Sequence, residues 1–167
     1  MKNLVIALII AGSAPTASAQ EEISSWYDFW VGKWQVSWDE PEGKKGVGIN
    51  HVVKILDDKV IQENFSTLEG AGKGYLGTSL SVYNPRTQQW HQGYADNQGT
   101  YFNFTGEKDG NRFIFKTPPI SRDGKEIIQR MVFYDITQNA LMWDWESTSD
   151  GGKTWTLNWR ISYKRLE

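Results

Sequence analysis

The chain has 167 residues, with 18 Lys and Arg against 20 Asp and Glu, two His, no Cys, and 9 Trp, 7 Tyr and 7 Phe, a length suited to one domain. A formal charge of -2 leaves no basic face for a phosphate backbone, which argues against nucleic acid as a partner, and without Cys there is no disulfide framework, thiolate zinc site or cysteine nucleophile. With 39% hydrophobic and 23% charged residues, the composition is that of a soluble globular domain, neither membrane-embedded nor disordered.

Residues 1–19 read as a secretory signal peptide. Lys2 gives the positive start, Leu4 to Ala11 the apolar run, and Ala17-Ser18-Ala19 the small side chains that signal peptidase needs. The run is too short to span a bilayer, which takes about 20 residues. Cleavage is expected after Ala19, leaving residues 20–167 as a single domain, periplasmic or secreted and free of the membrane once the leader is gone.

From Glu21 to Gly32, apolar residues fall at Ile23, Trp26, Tyr27 and Trp30, the spacing of one helix face, and Gly32 stands where a helix should stop. After it the period changes to two. Trp34, Val36 and Trp38 alternate with polar residues, and Val47, Ile49, Val53 and Ile55 define an apolar odd face in the next strand. The same pattern continues through 59–68, 74–84, 88–96, 100–106, 112–118, 125–136, 140–147 and 154–164, which makes ten strands separated by short Asn-, Asp- and Gly-rich turns. Loops this short make sequential strands antiparallel neighbours, and no later segment could serve as a parallel crossover. A ten-strand meander must hide one apolar face and two edges, and closing into an all-β, up-and-down barrel does both.

Gly32-Lys33-Trp34, following a short helix and opening the first strand, resembles the G-x-W signature of the lipocalin and calycin superfamily. In that family an Arg near the end of the final strand packs across the Trp at the closed end, and Arg165 matches this position. The chain also resembles the lipocalin-like bacterial secreted proteins of the DUF1579 family, through Asp28 to Trp34 near the start and Trp145 to Trp155 near the end. Two departures stand out. Only Asp39 to Lys45 lies where fatty-acid-binding barrels carry a helical lid, and nothing beyond His91 could be the late haem-binding His of nitrobindin-type barrels. No cofactor is expected.

Thr148-x-Asp150-x-Gly152-x-Thr154-Trp155 matches the Asp-box pattern, a structural hairpin in which the carboxylate accepts backbone N–H groups, Gly supplies a positive φ and Trp packs beneath. Trp34, Arg165, Asp150, Gly152 and Trp155 are therefore expected to be structural, with Trp155 on the inward parity of the last strand. His51 interrupts the odd face of the second strand, and Glu63 sits between Ile61 and Phe65 on the third. If both project inward they could form an acid–base pair, a hydrogen-bonded polar core, or neither if a bulge turns one outward. Trp38, Phe65, Trp143, Trp145 and Trp159 on inward faces either fill the barrel or line a ligand cavity, and Arg130 could add a polar contact. Two His with no H-x-H or H-E-x-x-H spacing give no metal signature.

The leading expectation is an exported barrel that binds a small hydrophobic or aromatic molecule unchanged. The alternatives are a cofactor-independent enzyme using His51 and Glu63, and a filled structural barrel. A pocket of about 300 Å³ or more would set the first two apart from the third.

Overall fold

A computed structural model describes residues 22–166; the expected leader and its cleavage site lie outside the described residues. One α-helical turn at 22–24 and the 3-10 turn Asp28–Trp30 occupy the predicted helix, broken between them by turn conformation. The strands are β1 (Gly32–Asp39), β2 (Lys45–Ile55), β3 (Val60–Glu69), β4 (Leu76–Asn84), β5 (Gln89–Asp96), β6 (Tyr101–Asp109), β7 (Arg112–Lys116), β8 (Ile120–Arg122), β9 (Lys125–Tyr134), β10 (Ala140–Thr148) and β11 (Thr156–Arg165). All but β8 are barrel staves. Antiparallel pairing runs from β1 through β7 to β9, β10 and β11, and β11 pairs back onto β1, so ten strands close the barrel. Strand β8 pairs only with the start of β9, as a short hairpin.

The predicted helix packs one end shut. Tyr27 is fully buried there, donates its hydroxyl proton to the Ile114 carbonyl at 2.7 Å and stacks on Phe115 at 4.2 Å. Trp34 is also fully buried, and its indole N–H donates to the Trp30 carbonyl at 2.8 Å. Arg165 lies over Trp34, 4.0 Å from the ring centroid, and donates to the carbonyls of Val31 (2.8 Å), Phe29 (3.2 Å) and Gln138 (2.6 Å). The guanidinium can lie there because residue 32 lacks a side chain: a Cβ on Gly32 would meet Arg165 Nη1 at 2.0 Å.

Strand β2 overturns one expectation. Its inward face is the even one, Gly46, Gly48, Asn50 and Val52, while Val47, Ile49, Val53 and Ile55 are half-buried on the outside. His51 therefore points outward and is exposed. The cause is volume. Trp38 pairs with Gly46 and Val36 with Gly48, and a Cβ on Gly46 would lie 2.0 Å from the Trp38 ring. Beside Trp38 and Val36 there is room only for glycine, so Val47 and Ile49 take the outer face of β2. Strand β4 is arranged similarly, with Gly77, Ser79 and Ser81 buried and Leu76, Leu80 and Val82 exposed.

A second correction concerns Trp155. The β10–β11 register shifts between Trp145 and Glu146: Trp145 pairs with Trp159, but Glu146 pairs with Leu157. The extra residue, Asn158, reverses the parity of everything before it in β11, so Leu157 is exposed and Trp155 lies on the outer side.

Candidate functional site

A cavity of about 200 Å³ occupies the other end of the barrel. This end is framed by the connections β1–β2, β3–β4, β5–β6 and β10–β11. Its walls differ in chemistry. The β10–β11 side presents Trp143, Trp145, Trp159, Ile161 and Tyr163, and Phe102 and Phe104 extend the same aromatic surface from β6. The Trp143 and Trp145 planes are parallel within 6° at 6.4 Å, and Trp159 stands at 86° to Trp143 at 5.7 Å, so the three indoles form a corner. Trp38 backs this corner through edge contacts with Trp159 at 5.1 Å and a tilted contact with Phe65 at 6.3 Å, without lining the cavity.

The β2–β5 side is polar. Asn50, Glu63, Ser79, Ser81 and Gln92 are all buried inside the barrel. Glu63 reaches the cavity wall; its Oε1 accepts from Asn50 Nδ2 at 2.8 Å and its Oε2 from Ser79 Oγ at 2.8 Å. Asn50 Nδ2 also donates to the Tyr163 hydroxyl at 3.2 Å. Burial pushes the Glu63 carboxyl up to about 7, although the hydrogen bonds from Ser79 and Asn50 act in the opposite direction. Two buried acceptors, Asn50 Oδ1 and Gln92 Oε1, find no donor among the described residues. Toward the mouth, the Tyr75 and Tyr94 hydroxyls share a hydrogen bond, and Tyr75 donates to Asp96 Oδ2 at 3.1 Å. Gly77 makes space for this pair, since a Cβ there would lie 2.3 Å from the Tyr94 hydroxyl.

Of the residues singled out in the sequence, Glu63, Phe65, Trp143, Trp145 and Trp159 line the cavity. His51 does not. It pairs across the sheet with Asn64 on the outer face, so the proposed His51/Glu63 acid–base pair does not exist. Arg130 is also outside, because Met131 and Phe133 take the inward parity of β9. It pairs with Glu146 at 2.6 Å beneath Trp155, whose ring centroid lies 3.7 Å from the guanidinium. Tyr75, Tyr94, Phe102 and Met131 line the cavity but escaped the sequence reading, as did Ser79 and Asn50, which hold Glu63. The even parity of Gly46, Gly48 and Asn50, matched to Trp38, Val36 and Trp34, was the signal that could have found Asn50.

The Asp-box turn lies at the rim. Asp150 Oδ1 accepts from Lys153 N (2.9 Å) and Thr148 Oγ1 (2.6 Å), Oδ2 accepts from Thr154 Oγ1 (2.6 Å), and Thr154 N lies 3.1 Å from both oxygens. Hydrogen bonds from Thr148 and Thr154 hold its carboxyl well below the usual range. Gly151 and Gly152 supply φ of 75° and 91°. Its contacts make it a hairpin clasp.

No family model matches the chain, and no curated protein matches it. Among solved structures, the chain is similar to a protein of unknown function from the DUF3598 family of Nostoc punctiforme, at 9% identity over 86% of this chain and 99% of that one, with a TM-score of 0.23. A likeness that slight carries no weight for fold or function, and the barrel rests on its own strand ladder.

Proposed function

We propose that this chain is an exported, lipocalin-like barrel that holds a small hydrophobic or aromatic molecule without transforming it. The observation that carries this reading is the aromatic cavity beside the mouth, set against an end packed shut by Tyr27 and Trp34. An aromatic chamber with a few polar groups is the usual chemistry of a small-molecule site. At about 200 Å³ the cavity falls short of the roughly 300 Å³ expected of a ligand pocket, so its volume alone does not set a binding barrel apart from a filled one; the reading rests on the chemistry of its walls and on an occupant of single-ring size, since an apolar cavity of about 150 Å³ already admits benzene. The stacking of Arg165 on Trp34 supports the lipocalin-like resemblance, the Asp28–Trp34 and Trp145–Trp155 segments support the DUF1579 one, and the leader-like segment supports export.

Titrating the protein with a panel of single-ring aromatics and short-chain alcohols tests this, because the three corner indoles report on whatever enters. A saturable fluorescence change is expected, with a rise in Tm that grows with ligand concentration. No saturable change by either readout across the panel would leave a structural barrel.

A further inference from the structure

We propose that the ligand is a small organic cation, an ammonium group on an apolar body, held with its charge toward Glu63 and the faces of the surrounding aromatic rings. This deepens the binding reading above and depends on it. Three observations converge. Glu63 is the formally chargeable carboxyl among the described residues lining the cavity, and none of those residues is Lys, Arg or His. The described ion pairs, including Arg130 with Glu146 and Arg160 with Asp144, all lie elsewhere, so Glu63 has no internal counter-ion. Apart from Met131 and Ile161, the rest of the wall is aromatic, led by the Trp143, Trp145 and Trp159 corner, and aromatic rings carry the negative end of a quadrupole on their faces and attract cations within about 6 Å. A carboxylate and a set of π faces in one desolvated space favour the same charge.

The hydrogen-bond inventory agrees. Asn50 and Ser79 each donate to one oxygen of Glu63, which leaves each oxygen a further lone pair for a donor in the cavity; Asn50 Oδ1 and Gln92 Oε1 are also without a donor but belong to residues that do not line it. An ammonium brings donors and no acceptor, whereas a carboxylate ligand would face Glu63 with like charge. Burial raises the cost of an unpaired Glu63 carboxylate, and a bound cation offsets that cost. The other titratable groups around Glu63 do not compete in the neutral range. Burial pushes Tyr75 up to about 12 and holds Tyr94 and Tyr163 higher still, while at Asp96 hydrogen bonds from Thr100 and Gln98 outweigh burial and keep the carboxyl below its ordinary value.

Three probes of similar shape separate the possibilities: phenethylamine, propylbenzene and 3-phenylpropionate, titrated by calorimetry into the full chain at pH 5.5 and pH 8. Phenethylamine keeps its proton at both pH values, as a lysine amine would. At pH 8 it is expected to bind at least about tenfold more tightly than propylbenzene, with 3-phenylpropionate weakest. At pH 5.5, with Glu63 protonated, that preference should shrink to about threefold or less. Glu63→Gln should abolish the pH dependence of the preference and weaken phenethylamine about tenfold while leaving propylbenzene within about twofold. The pH comparison on the unaltered protein stands even if the variant folds poorly. Propylbenzene or 3-phenylpropionate binding as tightly as phenethylamine at pH 8, or a preference that does not change with pH, overturns the cation assignment alone. If none of the three binds, the small-molecule reading falls with it.

Discussion

Glu63 places a pH-dependent load on the fold that a single substitution can isolate. Its carboxyl titrates at about 7 inside the barrel against an ordinary value of 4.5, because burial disfavours the ionised form. Between those values the folded protein holds a proton that the unfolded chain has released, so stability falls as pH rises through the window. The penalty is absent below about 4.5, complete above about 7, and amounts to about 3 kcal/mol. Glu63→Gln removes the titration with little change of shape: the amide oxygen can still accept from Asn50 Nδ2, and the amide nitrogen can donate to Ser79 Oγ. Urea and thermal unfolding of both proteins between pH 4.5 and 8, followed by tryptophan fluorescence, should show the variant gaining about 3 kcal/mol on the unaltered protein across the range, roughly 6 to 12 °C in Tm. Taking the difference cancels every other titrating group that the two proteins share. A difference constant to within about 0.5 kcal/mol over the whole range would mean that Glu63 is not desolvated as described, and the electrostatic basis of the cavity would fail.

Arg165→Ala should destabilise by about 2 to 4 kcal/mol in denaturant unfolding, through the lost stacking on Trp34 and three carbonyls deprived of a charged donor, and leave affinity at the opposite end unchanged. Arg165→Lys should recover little of it, since a point charge cannot span the carbonyls of Phe29, Val31 and Gln138 together. Gly46→Ala should cost about 1 to 3 kcal/mol and shift tryptophan emission, because the new methyl group displaces the Trp38 ring and with it the Trp159 contact. Asp150→Ala should speed amide hydrogen exchange at Lys153 and Thr154 while protection in the middle of β10 stays as it was; unchanged exchange at those two amides would contradict the clasp.

The fold was legible because period-two patterning and short turns recur from β1 to β11, and hairpin connections permit little besides a meander. The closed end was legible too: Gly32, Trp34 and Arg165 are single residues with one geometric job. The interior was legible only in part, and the failures share a cause. Reading parity from hydrophobicity assumes that apolar means inward. In β2 and β4 large side chains of the neighbouring strands β1 and β5, Trp38 and Tyr94 among them, lie over the inner face, so glycine, serine and asparagine take most of the inside, while Val47, Ile49, Leu76 and Leu80 turn outward. His51 followed the misread face outward, whereas Glu63 was placed correctly because β3 alternates in the ordinary sense. At Trp155 one extra residue, Asn158, was enough, and no composition signal marks a bulge in a strand of mixed polarity.

The pairing of β1 with β11, with Trp34 opposite Arg165, has a temporal side. The barrel has no closed form until its first and eleventh strands meet, and the contact that locks them joins residues 131 positions apart. Any partial chain lacking β11 carries two bare sheet edges and an uncovered Trp34, a state prone to pair with its neighbours rather than with itself. Such a protein gains little by beginning to fold from its early strands as they emerge, and a cell handling it must keep those strands apart until the late one arrives. The same long-range closure places it among slow folders, and it sets the end of β11 beside the start of β1: Leu166 donates its backbone N–H to the Lys33 carbonyl at 2.8 Å. Joining those ends and reopening the chain at a mouth hairpin would convert the seam into a local contact and should speed folding without altering the finished barrel.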